Sequence, residues 1–349
     1  MRPTYLHDTK KGIFMIRISN QLIALSLLIT SSLAIAMNKN PIHQEITIKE
    51  LTAIEKPTRV AFLRNKNTAM MANENGVYEV DCKKDEKIAD MVTGYYPMFC
   101  FPNQQRDAVA LFNLQKVKLY DVNKKTISWE RPVTFKNNFP PSCAFTRRCL
   151  YLIETDGTVY NNLGQTYNIP EASTQGWKGI ITTDSIKDKV VFTKYVDEST
   201  SALCTINFDE EPVTVTRNGT LANKPWDFPN AQCRSLISKL IAICYPLTCI
   251  WNIYNETDKA VTDVPNCCLL TFHPTKQHLA ILTKDGFVEI RDILKQTIIA
   301  KTNESLGTPK LATAANERVI DFSEDGENLA VIVNEKCFVL SNLYSANDK

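Results

Sequence analysis

Glycine is scarce in this chain, with 11 residues in 349, and histidine is scarcer still, with four. Turns usually recruit glycine, so Asn, Asp and Lys fill many of them here. Neither sign of charge dominates, because 40 Lys and Arg stand against 38 Asp and Glu. The chain therefore lacks the basic field typical of nucleic-acid-binding proteins. Its hydrophobic content of 44% is ordinary for a folded domain.

Catalytic signatures are also missing. The sequence contains no Gly-x-Ser-x-Gly elbow, no Walker A loop and no dinucleotide fingerprint. His273 and His278 share one polar turn, but no Cys or carboxylate stands in a frame that would complete a metal site with them. We therefore predict no catalytic residue, no metal and no cofactor.

Long apolar runs are limited to one N-terminal stretch. Leu22 to Leu33 is uncharged, follows Lys10, Lys11 and Arg17, and precedes the small-x-small triplet at 34–36. This order is typical of an export signal, and the run is short for a bilayer span. We predict a signal peptide over 1–36, with Met15 as an alternative start, and a secreted or periplasmic protein. An uncleaved signal would be its only attachment to a membrane, and a buried helix is the alternative interpretation.

Four segments repeat one pattern. In each, a Phe ends a short apolar strand and a second apolar strand enters seven residues later. The pairs are Phe62 and Ala69, Phe101 and Ala108, Phe272 and Leu279, and Phe322 and Leu329. A third strand with period-two alternation follows each pair, as in the segments 76–81, 116–121, 286–292 and 337–342. Fourth strands begin near Ile88, Thr126 and Ile298, and four strands form the blade of a β-propeller.

Three weaker units fill the middle of the chain and bring the number of units to seven. Their first strands start near these residues: Val60, Phe99, Cys143, Gly179, Arg234, Leu269 and Val319. The mean spacing is close to the ~40–45 residues of a propeller blade, although the fourth unit is long at 55 residues. We predict an all-β fold: a seven-bladed β-propeller with four antiparallel strands per blade, occupying 37–349 as a single domain.

The two ends of the chain complement each other. The last unit has only three strands, and an additional strand precedes the first unit at 43–51. We expect this N-terminal strand to pair with the last blade at 337–342, which closes the ring and leaves no long exposed edge.

The segments FHPTKQHLAILTKDGFVEIRD and DFSEDGENLAVIV resemble WD40 and YVTN-type repeats. The resemblance covers roughly 43–343 and implies the propeller architecture. Asp81, Asp121 and Asp292 stand where the family's Trp-Asp aspartate would be, but the Gly-His and Trp-Asp pairs are absent. The family's buried His–Asp network is therefore not expected, and apolar strands should hold the blades together.

Connections between consecutive blades lie on one face, which in WD40-like proteins commonly binds partners. Here these connections carry large aromatic residues on proline-stiffened loops, which make good anchors. The predicted partner-binding residues are Tyr95, Tyr96, Phe139, Trp177, Trp226 and Phe228. We therefore expect a non-enzymatic module that binds a protein or peptide outside the cytoplasm and binds no nucleic acid. For the aromatic residues, the alternative is that they only cap the ends of the blades. For the protein, the alternatives are a propeller enzyme or small-ligand binder that uses the channel mouth, and a cytoplasmic scaffold with an N-terminal anchor.

The chain has 11 cysteines, an odd number that leaves at least one thiol without an intramolecular disulfide. The candidate disulfides are Cys244–Cys249 and Cys143–Cys149, and the alternative is that the thiols pack as small apolar residues. Three triplets match the N-glycosylation pattern, at Asn218, Asn255 and Asn303.

Overall fold

The structure is a computed structural model in which seven sheets follow one another along the chain. It describes residues 44–95, 97, 99–113, 115–133, 142–146, 149–173, 177–183, 188–223, 230–234, 240–245, 250–255, 260–309 and 320–344. Within these ranges only the backbone is described at 44–45, 99, 101, 177–183, 230–234, 245, 250 and 260.

Each blade contains four antiparallel strands, and the two N-terminal strands join the last two blades. The N-terminal strands are β1 Gln44–Glu45 and β2 Thr47–Leu51. Blade one has β3 Arg59–Phe62, β4 Thr68–Asn73, β5 Gly76–Asp81 and β6 Glu86–Thr93. Blade two has β7 Phe99–Pro102, β8 Ala108–Phe112, β9 Lys116–Asp121 and β10 Thr126–Pro132. Blade three has β11 Ser142–Phe145, β12 Leu150–Ile153, β13 Thr158–Asn161 and β14 Thr166–Asn168, followed by a 3-10 turn at Pro170–Ala172.

The remaining blades follow the same order. Blade four has β15 Trp177–Thr183, β16 Lys189–Tyr195, β17 Thr200–Asn207 and β18 Thr214–Ala222. Blade five has β19 Asn230–Arg234, β20 Leu240–Tyr245, β21 Ile250–Asn255 and β22 Ala260–Val264. Blade six has β23 Cys267–Phe272, β24 His278–Thr283, β25 Val288–Asp292 and β26 Ile298–Lys301. Blade seven has β27 Ile320–Phe322, β28 Leu329–Val333 and β29 Lys336–Ser341, with β2 as its outer strand. The predicted seven-bladed fold is thus confirmed.

Strand composition follows the position of the strand in its blade. The second strands β4 and β28 are buried at every residue, because both faces of these strands pack against neighbouring blades. The outer strands β6 and β18 are largely exposed. This gradient explains why the second strand of each repeat is apolar in the sequence.

The N-terminal segment divides between two blades. β2 pairs antiparallel with β29, from Thr47 opposite Ser341 to Leu51 opposite Cys337, as predicted. The prediction of one strand over 43–51 was wrong at its start, because β1 pairs in parallel with β26 of blade six. The buried side chain of Ile46 separates the two strands and packs between blades six and seven. This segment therefore ties the last two blades to each other.

Aspartates at the Trp-Asp position cap turns. Asp81 Oδ1 accepts the N–H groups of Lys83 and Lys84, both at 2.9 Å. Asp292 Oδ1 accepts those of Leu294 and Lys295 in the same way. The backbone N–H of Lys84 is the main cause that lowers the pKa of Asp81. These carboxylates stabilise the turn between the third and fourth strands.

Polar contacts also join the blades, which the sequence did not predict. Val60 and Phe62 of blade one pack with Ala330 and Ile332 of blade seven. Beside this apolar contact, the Phe62 N–H donates to Asp321 Oδ2 of blade seven at 2.9 Å. Neighbouring blades are therefore held together by hydrogen bonds as well as by apolar packing between their strands.

Candidate functional site

The predicted binding residues were assigned to one end of the propeller. This end is formed by the connections between consecutive blades and by the turns between the second and third strands of each blade, and we call it the inter-blade face. The opposite face carries the other two turns of each blade. Antiparallel pairing within every blade places these segments at opposite ends.

Tyr95 is a core residue. It is 5% exposed and packs with Met91 and Val109 between blades one and two. Its hydroxyl shares its one hydrogen between the carbonyls of Leu111 at 3.1 Å and Lys116 at 2.9 Å. Burial raises the pKa of this hydroxyl. The assignment of Tyr95 to a docking surface was therefore wrong. Tyr95 packs in the core between blades one and two.

Of the other predicted residues, only Trp177 is described, and only by its backbone. Trp177 starts β15, and its backbone pairs with Lys194 at the inter-blade face. Tyr96, Phe139, Trp226 and Phe228 lie outside the described residues. Their role in binding stays a prediction.

Blade four presents an exposed hairpin tip that the sequence analysis missed. Tyr195 and Val196, at the end of β16, are 36% and 45% exposed, although both are large apolar residues. The turn that follows is well ordered by Asp197, whose Oδ1 accepts the backbone N–H groups of Ser199 and Thr200 at 2.8 Å. The Ser199 hydroxyl, also bonded to this carboxylate, is the main cause that lowers the pKa of Asp197. The signal in the sequence was the 55-residue spacing of this unit.

The chain leaving β18 is fastened to this tip. Asn223 Nδ2 donates to the Asp197 carbonyl at 2.8 Å, and the Asn223 N–H donates to the Ser199 carbonyl at 2.8 Å. Ser201 Oγ donates to Asn223 Oδ1 at 2.7 Å. Three hydrogen bonds thus hold the connection to blade five against the hairpin. Trp226 and Phe228 follow Asn223 by three and five residues in the sequence.

The two faces differ in the charged residues that their described turns expose. In the described turns and connections, the inter-blade face exposes nine carboxylates and two lysines. The carboxylates are Glu55, Glu74, Asp156, Glu171, Asp197, Glu198, Asp285, Glu304 and Glu335, and the lysines are Lys56 and Lys284. The described turns of the opposite face expose six carboxylates and seven Lys or Arg. In a chain of nearly zero net charge, the described turns and connections of one end are therefore acidic.

The predicted disulfide Cys143–Cys149 was wrong. Both residues are free thiols, and they point to opposite faces of the blade-three sheet. Cys143 packs with Phe112 of blade two, whereas Cys149 packs with Phe192 of blade four. Burial raises the pKa of Cys143 to about 12. Cys244 is buried, and its predicted partner Cys249 lies outside the described residues.

The histidine turn of blade six has a structural role. His273 Nδ1 accepts the N–H groups of Thr275 and Lys276, both at 3.0 Å, and the ring is 1% exposed. Within the described ranges, no group of three or more His, Cys, Asp or Glu is placed to hold a metal ion. In the same part of the chain, no helix is long and apolar enough to cross a bilayer.

Comparison with known proteins gives structural neighbours only. No family model matches the sequence, and no curated protein matches it. A chain described as "Crystal Structure of Mitotic Checkpoint Complex" is similar with a TM-score of 0.57 at 12% identity, covering 88% of this chain and 95% of that one. "Crystal structure of RRP9 WD40 repeats" has a TM-score of 0.57 at 10% identity, covering 85% and 99%. "Structure of U3-55K" has a TM-score of 0.57 at 10% identity, covering 84% and 98%.

Identities of 10–12% establish the fold alone. Two observations lead to one conclusion: the chain forms seven four-stranded blades, the last completed by β2, and a similar solved structure is described as WD40 repeats. The chain has the seven-bladed β-propeller fold of WD40-like repeat proteins, in a divergent form that lacks their Gly-His and Trp-Asp signatures.

Proposed function

We propose that this protein is a non-enzymatic interaction module of an extracytoplasmic compartment that binds a protein partner through its inter-blade face. The observation that carries the proposal is the blade-four hairpin tip. Tyr195 and Val196 are exposed there beside a turn in which Asp197 and Asn223 form several hydrogen bonds. A rigid apolar anchor loses little conformational entropy on binding.

Two further features support the proposal. The backbone of Trp177 lies at the same end of blade four, because it pairs with Lys194, the residue before Tyr195. The similar propellers include one from a multi-protein assembly, the Mitotic Checkpoint Complex. Interaction through a face of the propeller is thus compatible with this fold.

The test is partner capture by immobilised protein from the extracytoplasmic fraction of the source cells. We expect Tyr195→Ala combined with Trp226→Ala and Phe228→Ala to reduce capture at least ~10-fold, since aromatic anchors dominate binding energy. The control is Leu163→Ala with Leu294→Ala. These leucines are 65% and 68% exposed on the opposite face. Equal capture by both variants would place the binding surface elsewhere.

The compartment requires a separate measurement, the intact mass of the protein purified from its own cells. Export predicts a chain that starts near Met37. A chain that starts at Met1 or Met15 would favour the cytoplasmic scaffold instead. The thiols alone do not decide, because the buried Cys143 and Cys337 have raised pKa values and would oxidise slowly in either compartment.

A further inference from the structure

The exposed apolar pair at the tip of blade four lies in an acidic environment. Asp197 and Glu198 follow Tyr195 and Val196 directly, and both are exposed. Glu171 is also exposed close by, because Lys194 Nζ donates to its backbone carbonyl at 3.4 Å. Two carboxylates therefore follow the apolar pair directly in the chain, and a third belongs to a residue that lies beside Lys194, whose positive charge offsets part of this acidity.

The described turns and connections of the inter-blade face are acidic beyond blade four. They expose seven more carboxylates than lysines, whereas those of the opposite face differ by one charge of the other sign. The connecting residues outside the described part add two acids, Asp227 and Glu317, and four bases, Lys136, Lys224, Lys310 and Arg318. An excess of five negative charges remains when all of them are counted.

Such a surface selects its partner by charge. Complementary potentials speed association and disfavour partners of the wrong sign. An exposed acidic face repels acidic segments and concentrates basic ones, with a range of ~8–10 Å at physiological ionic strength. The apolar tip then supplies buried area, which charge alone does not provide.

We propose that the inter-blade face at blade four binds a segment of a protein partner that is rich in Lys or Arg and inserts an apolar side chain against Tyr195 and Val196. This inference rests on the proposed function and names the chemistry of the partner. The positive charges of the segment would face Glu171, Asp197 and Glu198. The apolar residue would lie between them.

The probe is a displayed library of random 16-residue peptides, selected on the immobilised protein. We expect the enriched peptides to carry a net positive charge and at least one aromatic or aliphatic residue. Synthetic copies of the best peptides should bind at least ~10-fold more weakly at 300 mM than at 50 mM NaCl, since exposed charges are screened by salt.

Two charge-reversal variants locate the site. Glu171→Lys with Glu198→Lys should weaken these peptides at least ~10-fold. Glu86→Lys with Glu324→Lys applies the same charge change to exposed residues at the opposite end and should weaken them less than ~2-fold. Circular dichroism of both variants checks that the propeller is intact.

The outcomes separate this inference from the proposed function. Enriched peptides without positive charge that still lose binding on Tyr195→Ala would overturn the basic-partner inference and leave the interaction module standing. Basic peptides that bind both charge variants equally would also overturn it. Enrichment no greater than on an unrelated protein would count against both proposals.

Discussion

Arg106 of blade two reaches across blade one to Asp321 of blade seven. Its guanidinium donates to Asp321 Oδ2 at 2.7 Å and Oδ1 at 3.1 Å, and it also donates to the Phe62 carbonyl of blade one at 2.7 Å. The side chains of Arg106 and Asp321 are only 12% and 7% exposed. Because Phe62 N–H donates to the same carboxylate, one ion pair joins three consecutive blades at the point where the ring ends meet.

Removing the negative charge of this pair should destabilise the ring. We expect Asp321→Asn to lower the free energy of unfolding by about 2–4 kcal/mol, because Arg106 is then buried without its carboxylate. Urea titration followed by circular dichroism measures the loss. The control is Glu50→Gln, because Glu50 forms a solvent-exposed ion pair with Lys336. This variant should lower the free energy of unfolding by less than about 1 kcal/mol. Similar losses in both variants would contradict the structural role of Arg106–Asp321.

His273 should make stability depend on pH. Burial, together with the positive charges of His278 and Lys276, lowers its pKa from 6.5 to about 4. As pH falls from about 6.5 to about 4, the unfolded chain binds a proton that the folded chain does not, so stability is lost in this window. The loss attributable to His273 is at most about 3 kcal/mol.

The check is thermal unfolding between pH 7 and pH 4 of the native chain and of His273→Asn. The Asn oxygen can still accept the N–H groups of Thr275 and Lys276 but does not titrate. Tyr344 and Asp325 also face this ring and are unchanged in the variant. A smaller slope in the variant supports the assignment, and identical slopes would refute it.

The His273 ring lies so close to Gly326 that only glycine fits at this position. The φ of Gly326 is +73°, and an added Cβ would overlap the His273 ring. We expect Gly326→Ala to cost about 3 kcal/mol or more. The control is Gly164→Ala, with φ +88° and open space around the Cβ position, which isolates the backbone cost of about 1–2 kcal/mol. Chemical denaturation of both variants separates the clash from backbone strain, and equal losses would argue against the clash.

Substitutions of Tyr95 and Tyr195 should have opposite effects on stability and on partner capture. Tyr95→Phe removes the hydroxyl that two backbone carbonyls share as a hydrogen-bond donor and should lower the free energy of unfolding by about 1–2 kcal/mol with unchanged partner capture. Tyr195→Ala should weaken capture with a stability change of less than about 1 kcal/mol, because Tyr195 is among the exposed large apolar residues. Loss of capture by Tyr95→Phe at normal stability would restore Tyr95 to the binding surface.

Much of the fold was predictable because its signals are local. The seven-residue step from Phe62 to Ala69, or from Phe322 to Leu329, spans one turn between two paired strands. Six of the seven predicted starts fall within first strands, and Val319 directly precedes β27. The pairing of β2 with β29 was also predictable, since a three-strand unit at one end and a lone strand at the other had one plausible match.

The candidate site was less accessible to sequence reasoning. Tyr95 and Tyr195 are chemically identical, and only the packing of blade two against Tyr95 makes one a core residue and the other a surface residue. The spacing of Cys143 and Cys149 suited a hairpin disulfide. The register of β11 with β12, which places Phe145 opposite Leu150, instead turns the two thiols to opposite faces.

The sequence by itself determined the number of blades, the four-strand unit and the N-terminal strand that completes the last blade, because hydrophobic alternation and turn spacing act over a few residues. The tertiary structure decided the contacts that depend on distant segments. It joined Arg106 to Asp321 across 215 positions and divided the first eight described residues, 44–51, between blades six and seven. Among the described turns, it also divided the charges of an almost neutral chain into an acidic set at the inter-blade face and a nearly balanced set at the opposite face, since the direction of each strand determines at which end its turns emerge.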